Sequence, residues 1–324
     1  MDMQATETVR AIQQARDEIS RAVIIKDNVL TTVLSGLFAH GHVLLEDVPG
    51  TGKTLTARSV ADVLGLSFNR IQFTPDLLPA DVTGTEIYDE RHNRFEFNDG
   101  PLFANIVLAD ELNRASPKTQ SALLEAMEER QVTVAGETHP LPRPFFVIAT
   151  QNSVESGEGT FPLPEAQLDR FIVKTSIGYP SAADELELLD RRDDRTSRTP
   201  SVEQVVSAQT VTGVQETVES IECQEDVKWY IVDIVHATRE DPRIAVGVSP
   251  RGCQRLFEVA RAHAVVDGRE YLTPHDVKTM AIPALAHRIK LTPDARVENV
   301  TKIEVIESIL EQISTPTLTR ATPA

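Results

Sequence analysis

Long apolar runs, a basic leader and metal-spaced cysteines are all missing from this sequence. No apolar stretch among its 324 residues approaches the roughly 20 residues that a membrane-spanning helix needs. The first ten residues, MDMQATETVR, show no basic segment followed by an apolar one, as a secretory signal would. The two cysteines, Cys223 and Cys253, fit no metal-ligand spacing. We therefore expect a cytoplasmic protein whose thiols stay reduced.

The sequence is also short of positive charge. It carries 32 Lys and Arg against 49 Asp and Glu, which gives a formal net charge of −17. That balance argues against a surface that coats DNA, although a local basic pore within an assembly stays compatible with it. The length and the 41% of hydrophobic residues are enough for one large domain or two smaller ones.

One stretch organises the chain, and it runs from Glu46 to Thr54 with the sequence EDVPGTGKT. It follows the apolar run 42–45, which predicts a buried strand, and it precedes a predicted helix over 55–64. A glycine-rich turn between a strand and a helix offers backbone N–H groups and a helix N-terminus to a phosphate chain. Asp47 stands where the usual pattern has glycine, so the match departs at its first position. The alternative is a chance G-x-G-K-T in an ordinary loop.

The turn predicts specific contacts with ATP and magnesium. Lys53 would reach the β- and γ-phosphates, and the Thr54 hydroxyl would bind Mg²⁺. The residues expected to contact ATP in this stretch are Pro49, Gly50, Thr51, Gly52, Lys53, Thr54 and Leu55.

Polar residues follow two further apolar strands. Asp110 and Glu111 end the run 105–109, where Asp110 could hold Mg²⁺ through water and Glu111 could polarise the attacking water. Such an acid pair could alternatively be the charged start of a helix. Asn152 follows the run 145–150 and could orient the lytic water, or it could simply begin a turn.

Arginines are candidates for completing the site. Arg170 could reach a γ-phosphate bound by the next subunit as an arginine finger, or it could form a surface salt bridge with Asp169 or Glu165. Arg114, just after the acid pair, competes for this role. Arg251 begins a predicted helix and could fold over the phosphates from a second domain, or it could be structural.

The apolar runs predict an α/β fold followed by a helical part. Four strands separated by helices, the first of which leads into a phosphate loop, indicate a parallel sheet, and hairpins are expected at 85–97 and 131–141. The expected domains are an N-terminal helical segment (1–35), an α/β core (36–180), a helical connector and lid (181–312) and a flexible tail (313–324). The helices predicted after the core are 181–193, 201–207, 225–238, 250–266 and 273–288, with a linker at 193–200.

Together the motifs resemble those of the MoxR family of AAA+ ATPases, over roughly 20–310. The shared strings are EDVPGTGKT, LADELNRA (108–115), SALLEAMEER (121–130), FFVIATQN (145–152), FPLPEAQLDRF (161–171) and VSPR (248–251). The resemblance implies a P-loop AAA+ core with a small all-helical lid. Two departures are Asp47 and Lys26, because relatives commonly have glycine at both positions.

The resemblance also implies roles and partners. The implied roles are Walker A for Lys53 and Thr54, Walker B for Asp110 and Glu111, sensor 1 for Asn152, the arginine finger for Arg170 and sensor 2 for Arg251. It implies Mg²⁺-dependent ATP hydrolysis in a homo-oligomeric ring, often a hexamer. It further implies chaperone-like remodelling of protein clients together with von Willebrand factor A domain partners.

Other functions stay open at this point. A DNA-translocating motor would carry similar hairpins, although neither hairpin here is rich in Lys or Arg. The ATPase subunit of a metal chelatase would share the core and a von Willebrand partner. A regulatory switch that binds ATP but barely turns it over is disfavoured by the presence of Glu111, Asn152 and Arg170. A small-molecule kinase would not need a separate lid that carries Arg251.

Overall fold

The structure, a computed structural model, describes residues 3–151, 160–194 and 200–317, with side chains from residue 10 onward. Its strands are β1 (Val43–Glu46), β2 (Phe68–Gln72), β3 (Gly84–Asp89), β4 (Arg94–Asp99), β5 (Ile106–Asp110), β6 (Gln131–Val134), β7 (Glu137–Pro140), β8 (Phe146–Gln151), β9 (Val173–Thr175), β10 (Ile244–Val246) and β11 (Lys290–Leu291).

The helices surround the sheet and then continue as a helical unit. They are α1 (Met3–Ala22), α2 (Asp27–Phe38), α3 (Lys53–Val63), α4 (Pro79–Thr83), α5 (Pro117–Glu129), α6 (Glu165–Leu168), α7 (Ala182–Asp193), α8 (Ala208–Ser220), α9 (Glu225–Glu240), α10 (Pro250–Val266), α11 (Pro274–Leu285), α12 (Pro293–Val297) and α13 (Lys302–Gln312). Short 3₁₀ turns cover Leu112–Arg114 and Ala286–Arg288. No helix among the described residues is long and apolar enough to cross a membrane.

A five-stranded parallel sheet lies at the centre, in the order β2–β5–β8–β1–β9. Successive side chains of a strand point to opposite faces, and β5 shows the result. Ile106 and Leu108 join the hydrophobic core on one face, whereas Val107 and Ala109 join the core on the other face. The predicted parallel α/β fold with a helical lid is confirmed.

The sequence did not reveal the edge strand β9. Its three residues, Val173–Thr175, include a lysine and form no apolar run. They pair with β1 all the same, with Val43 opposite Val173. Strand pairing with a buried neighbour thus decides the conformation here, rather than local propensity.

Both predicted hairpins are present, as β3–β4 and β6–β7. The hairpins touch through Phe97 and His139, whose rings stack with centroids 3.9 Å apart and planes 12° from parallel. They therefore lie side by side.

The helix predicted over 201–207 is wrong. No helix is present in that stretch, and the backbone N–H groups of Val205 and Val206 donate to Val63 O at the end of α3. The helix starts instead at Ala208, where Ser207 caps it by accepting from Thr210 N at 3.2 Å. Valine and threonine have low helix propensity, and α8 is rich in both, so the sequence did not predict this helix. The predicted linker falls mostly on residues outside the described part of the chain.

The helical part packs closely onto the α/β core. Residues from α2 and α10 share one hydrophobic core, which continues through β1 to α11 and α13. The predicted helix 273–288 ends as an α-helix at Leu285 and continues as a 3₁₀ turn to Arg288. That turn brings Arg288 against the chain just before β9.

Candidate active site

The predicted phosphate loop joins β1 to α3, and two glycines shape it. Gly50 and Gly52 both have φ near +85°, a region that side chains disfavour. A Cβ built on either glycine would meet no atom within 4 Å, so open space lies in front of the loop. Gly52 also leads directly into the N-terminus of α3. An open turn at a helix N-terminus suits a phosphate chain.

Lys53 lies at the mouth of this loop. Its Nζ donates to the backbone oxygens of Asp47 and Val48, each at 3.2 Å. Both acceptors are neutral carbonyls, so a phosphate placed in the loop would offer the ammonium group a stronger, charged acceptor. The loop and its lysine therefore fit a nucleotide.

Asp110 is oriented from two sides at the end of β5. Its Oδ1 accepts from Thr150 Oγ1 at 2.7 Å, and its Oδ2 accepts from Arg70 Nη2 at 2.6 Å. Hydroxyl and carboxylate oxygens are the ligands that Mg²⁺ prefers, and the ion usually keeps several waters. Thr54 and Asp110 offer these oxygens. Because both carboxylate oxygens of Asp110 already accept a hydrogen bond, Asp110 suits contact with the ion through a water molecule. Nothing in the local sequence pointed to Arg70.

Glu111 has an unusual backbone conformation and a fixed side chain. Its φ of 56° is in the left-handed region, which costs a non-glycine residue on the order of 1–3 kcal/mol. Its N–H donates to Thr150 Oγ1, and its Oε2 accepts from Gln72 Nε2 and Arg114 Nη1, all at 2.8 Å. Arg114 thus lies beside the acid pair of its own chain. Strand β2 supplies Gln72, which sequence analysis also missed.

The predicted sensor residue Asn152 lies outside the described residues. The strand before it does reach the site, because Asp47 N donates to Gln151 O at 3.1 Å. The carboxyl end of β8 is therefore adjacent to the start of the phosphate loop.

A cavity of about 240 Å³ opens beside the loop. Its walls are the segment 22–26, the phosphate loop with Leu55, the segment 177–180 and three residues of α7. Lys26, the second departure from the family pattern, lies in this wall. A cavity that continues from a phosphate site is the natural place for the nucleoside.

The other departure, Asp47, makes three hydrogen bonds across the fold. Its carboxylate accepts from Ser176 Oγ at 3.0 Å, Ile177 N at 2.6 Å and Gly178 N at 2.9 Å. The residue is only 3% exposed, and these donors satisfy the buried charge. The residue that interrupts the sequence pattern is therefore a specific part of the site.

Arg170 and Arg251 come together on a different part of the molecule. Arg170 Nε lies 2.8 Å from Glu128 Oε2, and Arg251 Nη2 lies 3.2 Å from Glu128 Oε1. Arg251 also approaches Asp169 at 3.7 Å. The hydrogen bond from Arg170 is the main cause that lowers the pKa of Glu128. Arg170 thus has a salt bridge, with Glu128 rather than with the neighbours considered from sequence.

This cluster of Arg170 and Arg251 lies at the end of the sheet where the parallel strands begin. Both arginines line a cavity of about 80 Å³ together with His42, which immediately precedes β1. The phosphate loop follows the other end of β1, and a four-residue strand is roughly 13 Å long. Arg170 and Arg251 therefore lie near the amino ends of the strands, whereas Lys53 of the same chain lies near their carboxyl ends.

Comparisons with known proteins agree with this architecture. The family described as "ATPase family associated with various cellular activities (AAA)" matches residues 42–173, and the AAA lid domain matches residues 236–309. An uncharacterized protein, YeaC, from Bacillus subtilis is 46% identical over 94% of this chain and 94% of its own length. The chaperone MoxR1 from Mycobacterium tuberculosis is 41% identical over 95% of this chain and 83% of its own length. The crystal structure of a candidate ATPase from Cytophaga hutchinsonii, 39% identical, superimposes with a TM-score of 0.89 and covers 97% of both chains.

Proposed function

Because the chain belongs to the MoxR family of AAA+ ATPases, and is therefore an ATP hydrolase, we propose that it works as a cytoplasmic ring that remodels protein partners. The nucleotide-binding core would span 36–180, and the lid would lie within 181–312. The single observation that carries the ring is the separation of the arginine cluster from the phosphate loop of the same chain.

The proposed hydrolysis uses the groups gathered at the carboxyl ends of the strands. Lys53 and the loop N–H groups would hold the phosphates, and Thr54 and Asp110 would hold Mg²⁺, whose charge would offset that of the phosphate oxygens. Glu111 polarises the attacking water, and Asn152 orients it. The contacts from Gln72 and Arg114 to Glu111 set where that carboxylate can point before ATP binds.

Two different surfaces on one chain support the proposed ring. Arg170 and Arg251 can neutralise a γ-phosphate only if they face the phosphate loop of a neighbour, which requires head-to-tail contact. Repeated head-to-tail contacts close into a ring when the rotation allows it, and a hexamer is the size that the family resemblance implies.

A second observation supports the same contact. Helix α7 borders the nucleotide cavity, and none of its described residues is buried. Leu186 and Leu189 are exposed by 60% and 66%. They lie on the side of α7 turned away from the cavity, which Asp184, Leu188 and Arg191 line. Exposed leucines on such a helix are typical of a surface that a partner covers, and a neighbouring subunit placed there would lie beside the nucleotide cavity.

The hairpins favour protein clients over DNA. Between residues 84 and 99 there are five acidic and two basic side chains, so a phosphate backbone would be repelled. Tyr88 and Phe95 are paired across the β3–β4 hairpin, so they share one face, and their exposed rings lie 5.2 Å apart. Ile87, which is also exposed, points to the opposite face. An exposed aromatic pair on a hairpin suits contact with a polypeptide. A von Willebrand factor A domain partner remains part of this proposal through the family resemblance alone.

The test is the ATPase rate per subunit against protein concentration, with light scattering after size exclusion on the same samples in Mg²⁺-ATP. We expect the specific activity to rise as a multi-subunit ring assembles, because each site needs a neighbour's arginines. Constant activity from a persistent monomer would mean that the site is complete within one chain. The ring proposal would then be wrong. Stimulation by DNA that weakens with salt would favour the translocating motor instead.

A further inference from the structure

Asp47 connects two parts of the nucleotide site that are far apart in sequence. It begins the phosphate loop, and its carboxylate bonds the segment 176–178, some 130 residues later. Its own N–H is bonded to Gln151 O, so backbone and side chain hold Asp47 from both sides. The phosphate loop thus cannot shift at its first residue without moving the segment 176–178.

The segment held by Asp47 is a wall of the nucleoside cavity. Ile177 and Gly178 line that cavity, and so do Tyr179 and Pro180, which lead into α7. Lys26, which also lines the cavity, approaches the same wall, because a Cβ built on Gly178 would lie 3.7 Å from Lys26 Nζ. The segment 177–180 therefore lines the cavity, is bonded to Asp47 at its first two residues and leads into the first helix after the core.

We propose that Asp47 is a positioning residue that couples phosphate binding in the loop to nucleoside binding in the cavity. This inference rests on the proposed function of the site. With a glycine at this position, the loop could still bind phosphate. No carboxylate would then hold the cavity wall in its position relative to the loop. ATP needs both parts in register at once, whereas a phosphate chain without a nucleoside needs only the loop.

The test compares two ligands, ATP and inorganic tripolyphosphate, by titration calorimetry or by competition with a fluorescent nucleotide. In Asp47→Asn, an amide N–H₂ group takes the place of one carboxylate oxygen and faces the hydrogen-bond donors that this oxygen accepted from. In Asp47→Gly, all three hydrogen bonds to the side chain are lost. For both variants we expect the Kd of ATP to rise about tenfold or more, and the Kd of tripolyphosphate to change less than about threefold. The matched control is Asp241→Asn, since Asp241 also accepts from a backbone N–H but lies in the helical part, and it should leave both values unchanged.

Hydrogen exchange gives a readout that simple destabilisation would not reproduce. In the wild-type protein, tripolyphosphate alone should slow exchange in residues 176–184, because the carboxylate transmits order from the loop to the wall. In Asp47→Asn the same ligand should leave that exchange unchanged. If Asp47→Asn does not fold, Ser176→Ala removes one of the three contacts and should weaken ATP binding about threefold in the same selective way.

The outcomes separate the inference from the proposed function. Equal weakening of both ligands would reduce Asp47 to a general support of the loop and overturn the coupling. No weakening of either ligand would overturn it as well. Wild-type protein that binds neither ATP nor tripolyphosphate would contradict the proposed nucleotide site itself, and wild-type protein with unaltered exchange at 176–184 would contradict only the coupling.

Discussion

Arg288 Nε donates to Asp169 Oδ1 at 2.7 Å, and so a residue of the lid is bonded to the neighbour of Arg170 in the core. The same guanidinium donates to the backbone oxygens of Asp169, Phe171 and Ile172. Its side chain is 2% exposed, and burial lowers the pKa of Arg288 to about 10, which leaves it charged at neutral pH. The orientation of the turn that carries Arg170 therefore depends on the lid.

Replacing Arg288 with lysine should impair hydrolysis more than binding. Lysine keeps the charge but cannot offer the planar set of donors that reaches Asp169 and three carbonyls. We expect kcat to fall about tenfold while the Kd of ATP changes less than about threefold, because Arg288 lies far from the phosphate loop of its own chain. Steady-state kinetics and nucleotide titration measure the two effects. Arg243→Lys, in a lid pair with Asp241, is the control, and an equal loss in both variants would point to general lid instability.

The arginine cluster should act between subunits. Arg170→Ala should bind ATP but lose hydrolysis by about 10³-fold, within the range measured for arginine fingers. Lys53→Ala should lose ATP binding while it keeps its own arginines. Mixed rings of the two variants should regain part of the activity, since some sites would combine an intact Lys53 with an intact Arg170 from the neighbour. Verified mixed rings without any recovery would favour Arg114 or an arrangement within one chain.

Glu111→Gln should separate binding from turnover. The amide keeps the shape of the side chain but cannot act as a base, so ATP should bind normally and turnover should fall by about 10²–10⁴-fold. Retention of unhydrolysed ATP after gel filtration measures the trapped state. The exposed Glu125, on α5, provides the control Glu125→Gln, which should leave turnover unchanged. Wild-type turnover in Glu111→Gln would remove Glu111 from the proposed mechanism.

Local patterns in the sequence were enough to predict the main elements of the fold. Apolar runs predicted four of the five strands of the central sheet, and alternation around polar turns predicted both hairpins. The candidate phosphate loop and acid pair could be proposed from the sequence because their residues are consecutive. Helix α8 and strand β9 were missed, since their local propensity is weak and packing against distant residues decides their structure.

The contacts that orient the candidate site could not have been predicted in the same way. Arg70 lies 40 residues from Asp110, and Arg288 lies 119 residues from Asp169. No spacing rule joins residues so far apart, because the sheet order brings them together only after folding. The contacts of Asp47 could not be predicted for the same reason, because its partners lie about 130 residues later in the chain. The sequence showed only that Asp47 replaces the usual glycine.

Acid should weaken the fold through a histidine that the site does not use for chemistry. His42 is buried before β1, where its Nδ1 accepts from Val147 N and its Nε2–H donates to Met127 O, both at 3.0 Å. Burial, and then the charge of Arg130, lowers the pKa of His42 well below its ordinary value. Burial and the charge of Arg288 do the same to the pKa of His287.

The sign of the effect follows from proton binding. Below about pH 6.5 the unfolded chain protonates these histidines, whereas the folded protein keeps them neutral. Stability rises with pH wherever the unfolded state binds more protons. The stabilisation is therefore complete above about pH 6.5 and is lost as the pH falls below it, by up to about 1.4 kcal/mol per pH unit for each histidine.

The measurement is the free energy of unfolding in urea between pH 7.5 and 5. His42→Asn should lower the stability at pH 7.5, because it disturbs two buried hydrogen bonds, yet it should lose less stability than the wild type on going to pH 5. The exposed His236 gives the control His236→Asn, which should follow the wild-type curve. A His42→Asn curve parallel to that of the wild type would mean that protonation of His42 is not what weakens the fold in acid.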